Sequence, residues 1–403
     1  MKKYYTIIKK EKNKYDFIEK ISKQGYNKKG EIKKIFYGLY GENSMSGIKF
    51  SNITSCSHFF SYDNKQDGKN TIVKDETIKN SNMALPPYVR KGDIIMDTSK
   101  VEDFSYFLKG NSDKLREFTP DIDYSSAENL IRAFMGLESL ETLHTINSKK
   151  CKYFGEAFRD CKKIQTVDVD TSSGINFYEM FLGCDNLTNI ELDMSNANQL
   201  ERMFSCCKKL KKVEFKNFCK DTDFKPNYTG LFEVCSSLPD IDLKNVKSSS
   251  YDDLFDGCTS LKTIKNLDMG GRILEYPAGI TSYGTTVFKK CYNLEDLDVH
   301  NIYCRLYLND SPNLSEESLL QIAKELITPY EIRDNVPEWE IALYLNDNDR
   351  IKNYLNNTYC RVIENDNKKV PIELVNSDES NAISLYDYIT NVKKWKVKYE
   401  ASS

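Results

Sequence analysis

From Phe134 onward the apolar residues return in a fixed order: an aromatic, two residues, a Cys, two residues, a Leu or Ile, then alternation. The frames are FMGLESLETLHT from Phe134, FRDCKKIQTVDV from Phe158, FLGCDNLTNIEL from Phe181 and FSCCKKLKKVEF from Phe204. FEVCSSLPDIDL from Phe232, FDGCTSLKTIKN from Phe255 and FKKCYNLEDLDV from Phe288 complete the set. Successive aromatics lie 24, 23, 23, 28, 23 and 33 residues apart, so seven units share a basal period of 23. In the second half of a unit, Ile190 and Leu192 are separated by one polar residue, the period of a strand with one buried face. In the first half, Tyr178, Phe181 and Cys184 fall three apart, which predicts that they share one face of a short helix or turn. A turn plus a strand is too small to bury its own apolar side. Stacked neighbours solve this, giving a parallel ladder with strands about 4.8 Å apart.

Cys161, Cys184, Cys207, Cys235, Cys258 and Cys291 each occupy the same slot, and Leu137 fills it in the first copy. A structural zinc site draws two ligands from one short segment, and no such pair exists here. The adjacent Cys206 and Cys207 do not replace one. The slot is therefore expected to form an internal column in which Cys packs as a small hydrophobe.

The repeated phrase, roughly F-x-x-C-x-x-L-x-x-[IL]-x-[LIF], resembles the BspA-like leucine-rich repeat family over residues 134–300, with Asn266 departing from the last apolar position. The resemblance implies a leucine-rich-repeat solenoid and a role in binding rather than catalysis, as in surface proteins and phage tail components.

The flanks complete an α+β chain. Residues 1–125 carry short alternating runs such as YYTII and IKKIFYGLY and read as a β-rich N-terminal docking or capping domain. Residues 126–306 hold the repeats, and 307–403 an α/β C-terminal cap. There, Ser315 is placed to cap a helix whose apolar stripe is Leu319, Ile322, Ala323 and Leu326, with Ser318 at the capping-box position. The closing SLYDYITNVKKWKVKYE reads as a helix then a strand. The LSEESLLQIAKEL run and KKWKV resemble the trailing region of repeat proteins encoded in prophages, except that Lys394 stands where a Gly precedes the Trp.

Charge changes the picture only locally. The chain has 57 Lys and Arg against 60 Asp and Glu, so no global field draws it to nucleic acid. Residues 1–35 carry 12 Lys against 4 acids, whereas residues 307–403 carry 11 basic and 17 acidic groups. The residue between the two inward apolar positions of each unit gives an outward row: His144, Asp168, Glu191, Glu214, Asp242, Lys265 and Asp298. Five of these seven are acids, a stripe that needs a cation or a basic partner to offset it. The long insert after Ile264 supplies a second candidate contact, with Arg272, Tyr276 and Tyr283 in a Gly-rich loop.

No catalytic constellation stands out. Three His exist, His58, His144 and His300; Cys56 beside His58 lacks a third group to orient the base. Asp347 and Asp349 form half of a calcium loop without its Gly and distal Glu. No cofactor, metal, nucleic acid or membrane insertion is expected. The apolar run in MKKYYTIIKK is too short for a secretory signal, so synthesis in the cytoplasm is expected. With the resemblance, this points to a tail-tip or baseplate-associated component of a phage or phage-tail-like bacteriocin. The N-terminal domain would hold other particle proteins, and the repeats a host surface protein or glycan. A cell-surface adhesin, or an envelope-polymer hydrolase acting through residues 1–125, are the alternatives.

Overall fold

The computed structural model describes residues 48–50, 88–91, 94–96, 98–110, 115–218, 226–244, 248–270, 286–302, 305–327, 342–363 and 372–402. They fall into two compact units, Met1–Asn196 with Phe215–Asn217, and Ala197–Glu214 with Phe218–Ser403.

In the first unit the strands are β1 (Ile48–Phe50), β2 (Tyr88–Val89), β3 (Ile94–Met96), β4 (Glu117–Phe118), β5 (Thr142–Leu143) and β6 (Asn189–Met194). β1 pairs with β3, and β2, β4 and β5 form a sheet in that order, all in parallel. Parallel pairing at one-repeat separation is what the period of 23 requires.

The first half of each repeat is a run of tight turns, not a helix. Along it, alternate amides donate to the next rung: Leu130 to Tyr153, Arg132 to Gly155, Phe134 to Ala157 and Gly136 to Arg159, at 2.8–3.0 Å. The intervening amides close turns on their own rung, as Ala133 does on Leu130. This alternation needs a left-handed residue two before and two after the Phe. Arg132, Glu156 and Glu179 fill the first position (φ 56, 55 and 51°), and Gly136, Asp160 and Gly183 the second (φ 75, 60 and 72°). An L-residue in this region costs about 1–2 kcal/mol, offset here by the bonds to the next rung. At Gly183 close approach adds to this, because a Cβ would lie 2.6 Å from Asp160 Oδ1. The expectation that Tyr178, Phe181 and Cys184 share a face is corrected: Phe181 and Cys184 are buried, while Tyr178 is 40% exposed.

The inward side chains stack in columns. The rings of Phe134, Phe158 and Phe181 lie 5.1 and 5.3 Å apart and nearly parallel, and Phe154 sits 5.4 Å from Phe177. A further rung precedes the seven frames. Phe104, Tyr106, Leu108 and Gly110 donate to Asn129, Ile131, Ala133 and Met135 in the same alternation, with Leu108 in the aromatic slot and Gly110 left-handed.

The strand β7 (Lys212–Phe218) gives Phe215–Asn217 to the first unit and its remainder to the second. In the second unit β8 (Asp240–Asp242), β9 (Thr263–Asp268) and β10 (Asp296–His300) form a parallel sheet with β9 central. A bulge interrupts the register between Leu297 and Val299. Phe204, Phe232, Phe255 and Phe288 stack at 5.5, 5.8 and 6.2 Å. Beyond the last repeat, β11 (Leu306–Leu308) precedes α1 (Glu316–Glu325). Ser315 caps α1 by accepting from the Ser318 amide, and Leu319, Ile322 and Ala323 are buried with Leu326 just past its end. The chain continues through β12 (Ala342–Asn346), α2 (Asp349–Asn357), β13 (Tyr359–Val362), β14 (Ile372–Val375), β15 (Ile383–Ser384), α3 (Leu385–Asp387) and β16 (Lys396–Glu400). β11, β12 and β16 are parallel; β13 lies antiparallel between β14 and β15.

After α3, Tyr388–Val392 forms a wider turn closed by the Lys393 amide on the Tyr388 carbonyl. Lys394 then takes φ 62°, the left-handed conformation glycine fills most easily. Trp395 follows, buried, with Nε1 donating to the Ile327 carbonyl at 2.8 Å. Asn348 caps α2 and Asp347 pairs with Lys352, so these residues serve a helix start.

Candidate functional site

β6 shows the expected alternation: Ile190, Leu192 and Met194 are buried, Asn189 and Glu191 exposed, Asp193 half-buried. Of the outward row in the first unit, Asp168 is exposed and accepts from Thr145 Oγ1 at 2.7 Å. Glu191 pairs with Lys216. His144 departs from the row: its Nε2 is buried and its ring stacks on Tyr124 at 5.4 Å.

In the second unit Glu214 lies 2.9 Å from Lys212 Nζ. Asp242 is half-buried and accepts from Lys244 Nζ at 2.7 Å, from the Lys244 amide at 2.9 Å and from Asn266 Nδ2 at 2.8 Å. Burial alone would raise its pKa, but these hydrogen bonds outweigh it and hold the carboxyl below its ordinary range. Asp298 accepts from the Asn266 amide at 3.1 Å and faces His300 Nε2 at 3.1 Å. On the other side of that imidazole, Glu325 Oε1 lies 3.7 Å from Nδ1. Register sets Asp240 and Asp296 on either side of Thr263, and Asp242 beside Lys265. Within each unit the row is thus mixed in charge: Glu191 in the first, and Glu214 and Asp242 in the second, each have a lysine partner. Sequence reasoning missed those lysines although K-x-E-x-K at 212–216 has the strand period that puts all three on one face. Arg272, Tyr276 and Tyr283, like Cys56 and His58, lie outside the described residues.

Away from the strands, a charged network follows the left-handed positions. Glu156, 8% exposed at its side chain, accepts from Arg132 Nε at 2.7 Å and from Arg159 at 3.1 Å. Arg159 reaches Glu179 at 2.5 Å, and Arg132 donates to Tyr106 Oη at 3.0 Å. These bonds tie successive rungs by their side chains.

The thiol column is more than apolar filler. Sγ of Cys161, Cys184, Cys235, Cys258 and Cys291 each donates to the carbonyl of the Phe one repeat earlier, at 3.0–3.3 Å. Cys keeps the volume of a small hydrophobe and adds a weak donor that Leu137 cannot supply. Burial pushes Cys161 up to about 12 and Cys235, Cys258 and Cys291 well above the ordinary thiol range. In the native protein at about pH 8, of the nine described cysteines only the half-buried Cys206 is expected to react quickly with a thiol reagent. The buried eight should label only on unfolding. Peptide mapping by mass spectrometry checks this, and rapid native labelling of Cys161 or Cys258 would refute it.

Among the described residues no group of three or more His, Cys, Asp or Glu is placed to hold a metal ion, and no helix is long and apolar enough to cross a membrane.

Parallel rungs with one buried strand face and a tight-turn segment define a leucine-rich-repeat type of fold with open sheets and few helices. Residues 130–225 and 228–306, somewhat under half of the chain, match the BspA type leucine rich repeat region in six copies. No curated protein matches. A leucine-rich repeat protein from Bacteroides ovatus ATCC 8483 is 17% identical, with a TM-score of 0.28 over 64% of this chain and 68% of that one. The TLR13–ssRNA13 complex gives 10% identity and a TM-score of 0.19 over 59% of this chain and 48% of that one. At these TM-scores neither bears on function.

Proposed function

We propose that the chain is a non-enzymatic binding and assembly module at the tail tip or baseplate of a phage or phage-tail-like bacteriocin. The observation that carries the binding role is the division of labour within each rung. The inward Phe, Cys and Leu columns fix the backbone, while Asp168, Glu191, Glu214 and Lys265 stand exposed at the outward strand positions. Asp168, Glu191, Glu214, Asp242 and Asp298, with the loop residues Arg272, Tyr276 and Tyr283, are the contact candidates. The target is a host surface protein or glycan, and residues 1–125 dock on the particle. The particle itself is proposed from the resemblance of the repeats and of the trailing region to prophage-encoded proteins, with synthesis in the cytoplasm and release by lysis.

Two measurements test this. Antibody labelling of lysates is expected to mark tail-like particles; labelling confined to intact cell envelopes would overturn the particle role and favour an adhesin. Replacing Asp168, Glu191, Glu214 and Asp242 together by Asn or Gln is expected to weaken binding to target cells by tenfold or more, about 1.4 kcal/mol. Undiminished binding by the folded variant would remove the strand row as the contact.

A further inference from the structure

Only one of the two ring nitrogens of neutral His144 has a hydrogen-bond partner. Nδ1 lies 3.2 Å from the Phe118 carbonyl, which makes Nδ1 the donor and leaves the lone pair on Nε2. That nitrogen is buried and has no hydrogen-bond partner. Tyr124 stacks on the ring at 5.4 Å and Phe118 tilts against it at 6.3 Å. The ring thus joins β5 to β4 and to the turn that enters the next rung.

We propose that His144 is an acid-sensitive clasp: the neutral ring closes the β4–β5 rung, and its protonation loosens that rung. The residue as a whole is half-buried, but a second proton would sit on the buried Nε2, beside the rings of Tyr124 and Phe118. Burial is the largest influence on the ring and disfavours that charge; it outweighs the Phe118 carbonyl, the Asp121 carboxylate and the Ile122 carbonyl, which favour it. Of the charged groups described nearby, Asp121 is 3.3 Å from Lys91, and Glu117 on β4 is turned to Arg90 at 3.0 Å. On the following rung Asp168 accepts from Thr145 Oγ1 at 2.7 Å, so each of these three carboxylates already has a partner other than the ring.

The sign follows from linkage. The folded ring has its pKa below the ordinary histidine value of about 6.5, so above that pH both states are neutral and the clasp is fully effective. As pH falls through 6.5 the unfolded ring takes up its proton first, and stability drains away until the folded ring's own value is passed.

The test is a ring titration by NMR together with hydrogen exchange on the full chain. The His144 resonance is expected to titrate below about 6.5. Protection of peptides spanning 117–124 and 142–146 should fall as the pH drops below about 6.5, approaching tenfold for each unit by which the folded ring lies below that value. Peptides from 153–181 should hold their protection. In His144→Phe the pH dependence of the first group should vanish. A titration at or above 6.5 overturns the proposal even if the variant does not fold, as does the same acid-dependent opening in a folded His144→Phe.

Discussion

Phe158→Ala is expected to destabilise the first unit by about 3–5 kcal/mol, the loss typical of a fully buried aromatic. Phe158 is 0% exposed, and its ring lies between those of Phe134 and Phe181 at 5.1 and 5.3 Å. Each stacked pair adds about 0.5–1.5 kcal/mol beyond its area, so truncation removes two contacts at once. Rung-by-rung stability depends on nearest neighbours, and the gap should reduce cooperativity as well as midpoint. Urea unfolding followed by circular dichroism gives both, through the midpoint and the slope. A loss under about 1 kcal/mol would mean that the column closes around the gap, contrary to the close packing argued for protein cores. Cys161→Ala, with a smaller volume and one weak donor removed, is the internal comparison and should cost clearly less.

Trp395→Ala is expected to have a similar effect at the other end of the chain, about 3–5 kcal/mol. The indole is 1% exposed, its Nε1 donates to the Ile327 carbonyl, and its own amide donates to the Ile389 carbonyl. Substitution therefore opens a cavity and strands an acceptor just past α1. Trp395→Phe separates these effects: it keeps most of the apolar volume, and the lost donor alone should cost about 1–3 kcal/mol. Thermal unfolding of the two variants decides it. Equal losses would mean that the hydrogen bond rather than the volume holds the C-terminal segment.

The inward half of the ladder is legible because it repeats. Phe, Cys and Leu must return at one spacing for rungs to stack, and the glycines of FMG, FLG and FDG already mark the left-handed position after the Phe. The same position taken by Asp160, Cys206, Val234 and Lys290 is not legible, because hydrogen bonds to the next rung, or for Lys290 to the Asp310 carboxylate, hold those residues there against their own preference. The early rung at Leu108 escapes motif search since it lacks the aromatic. His144 misleads for a different reason. Alternation puts it outside, but β5 is only two residues long, and stacking on Tyr124 decides the orientation. On the outward side the acids are visible and their neutralisation is not, except for Lys212 and Lys216, whose spacing from Glu214 follows from the strand alone. Lys394 is the converse case: the glycine expected from the resemblance is absent, yet the backbone keeps the glycine-like conformation.

The sulfur–carbonyl contacts bear on how the chain meets a change of surroundings. Disulfide exchange needs a thiolate, and with Cys161 near 12 only on the order of one in ten thousand is ionised at pH 8. The sulfurs of Cys161, Cys184, Cys235, Cys258 and Cys291 each already face a carbonyl oxygen on the preceding rung. Among the described residues the buried ladder cysteines are therefore poor partners for disulfide exchange, whereas the half-buried Cys206 lacks that protection. The buried column can therefore pass from a reducing compartment to an oxidising one unchanged, and Cys206 is the described thiol at which oxidation would first act.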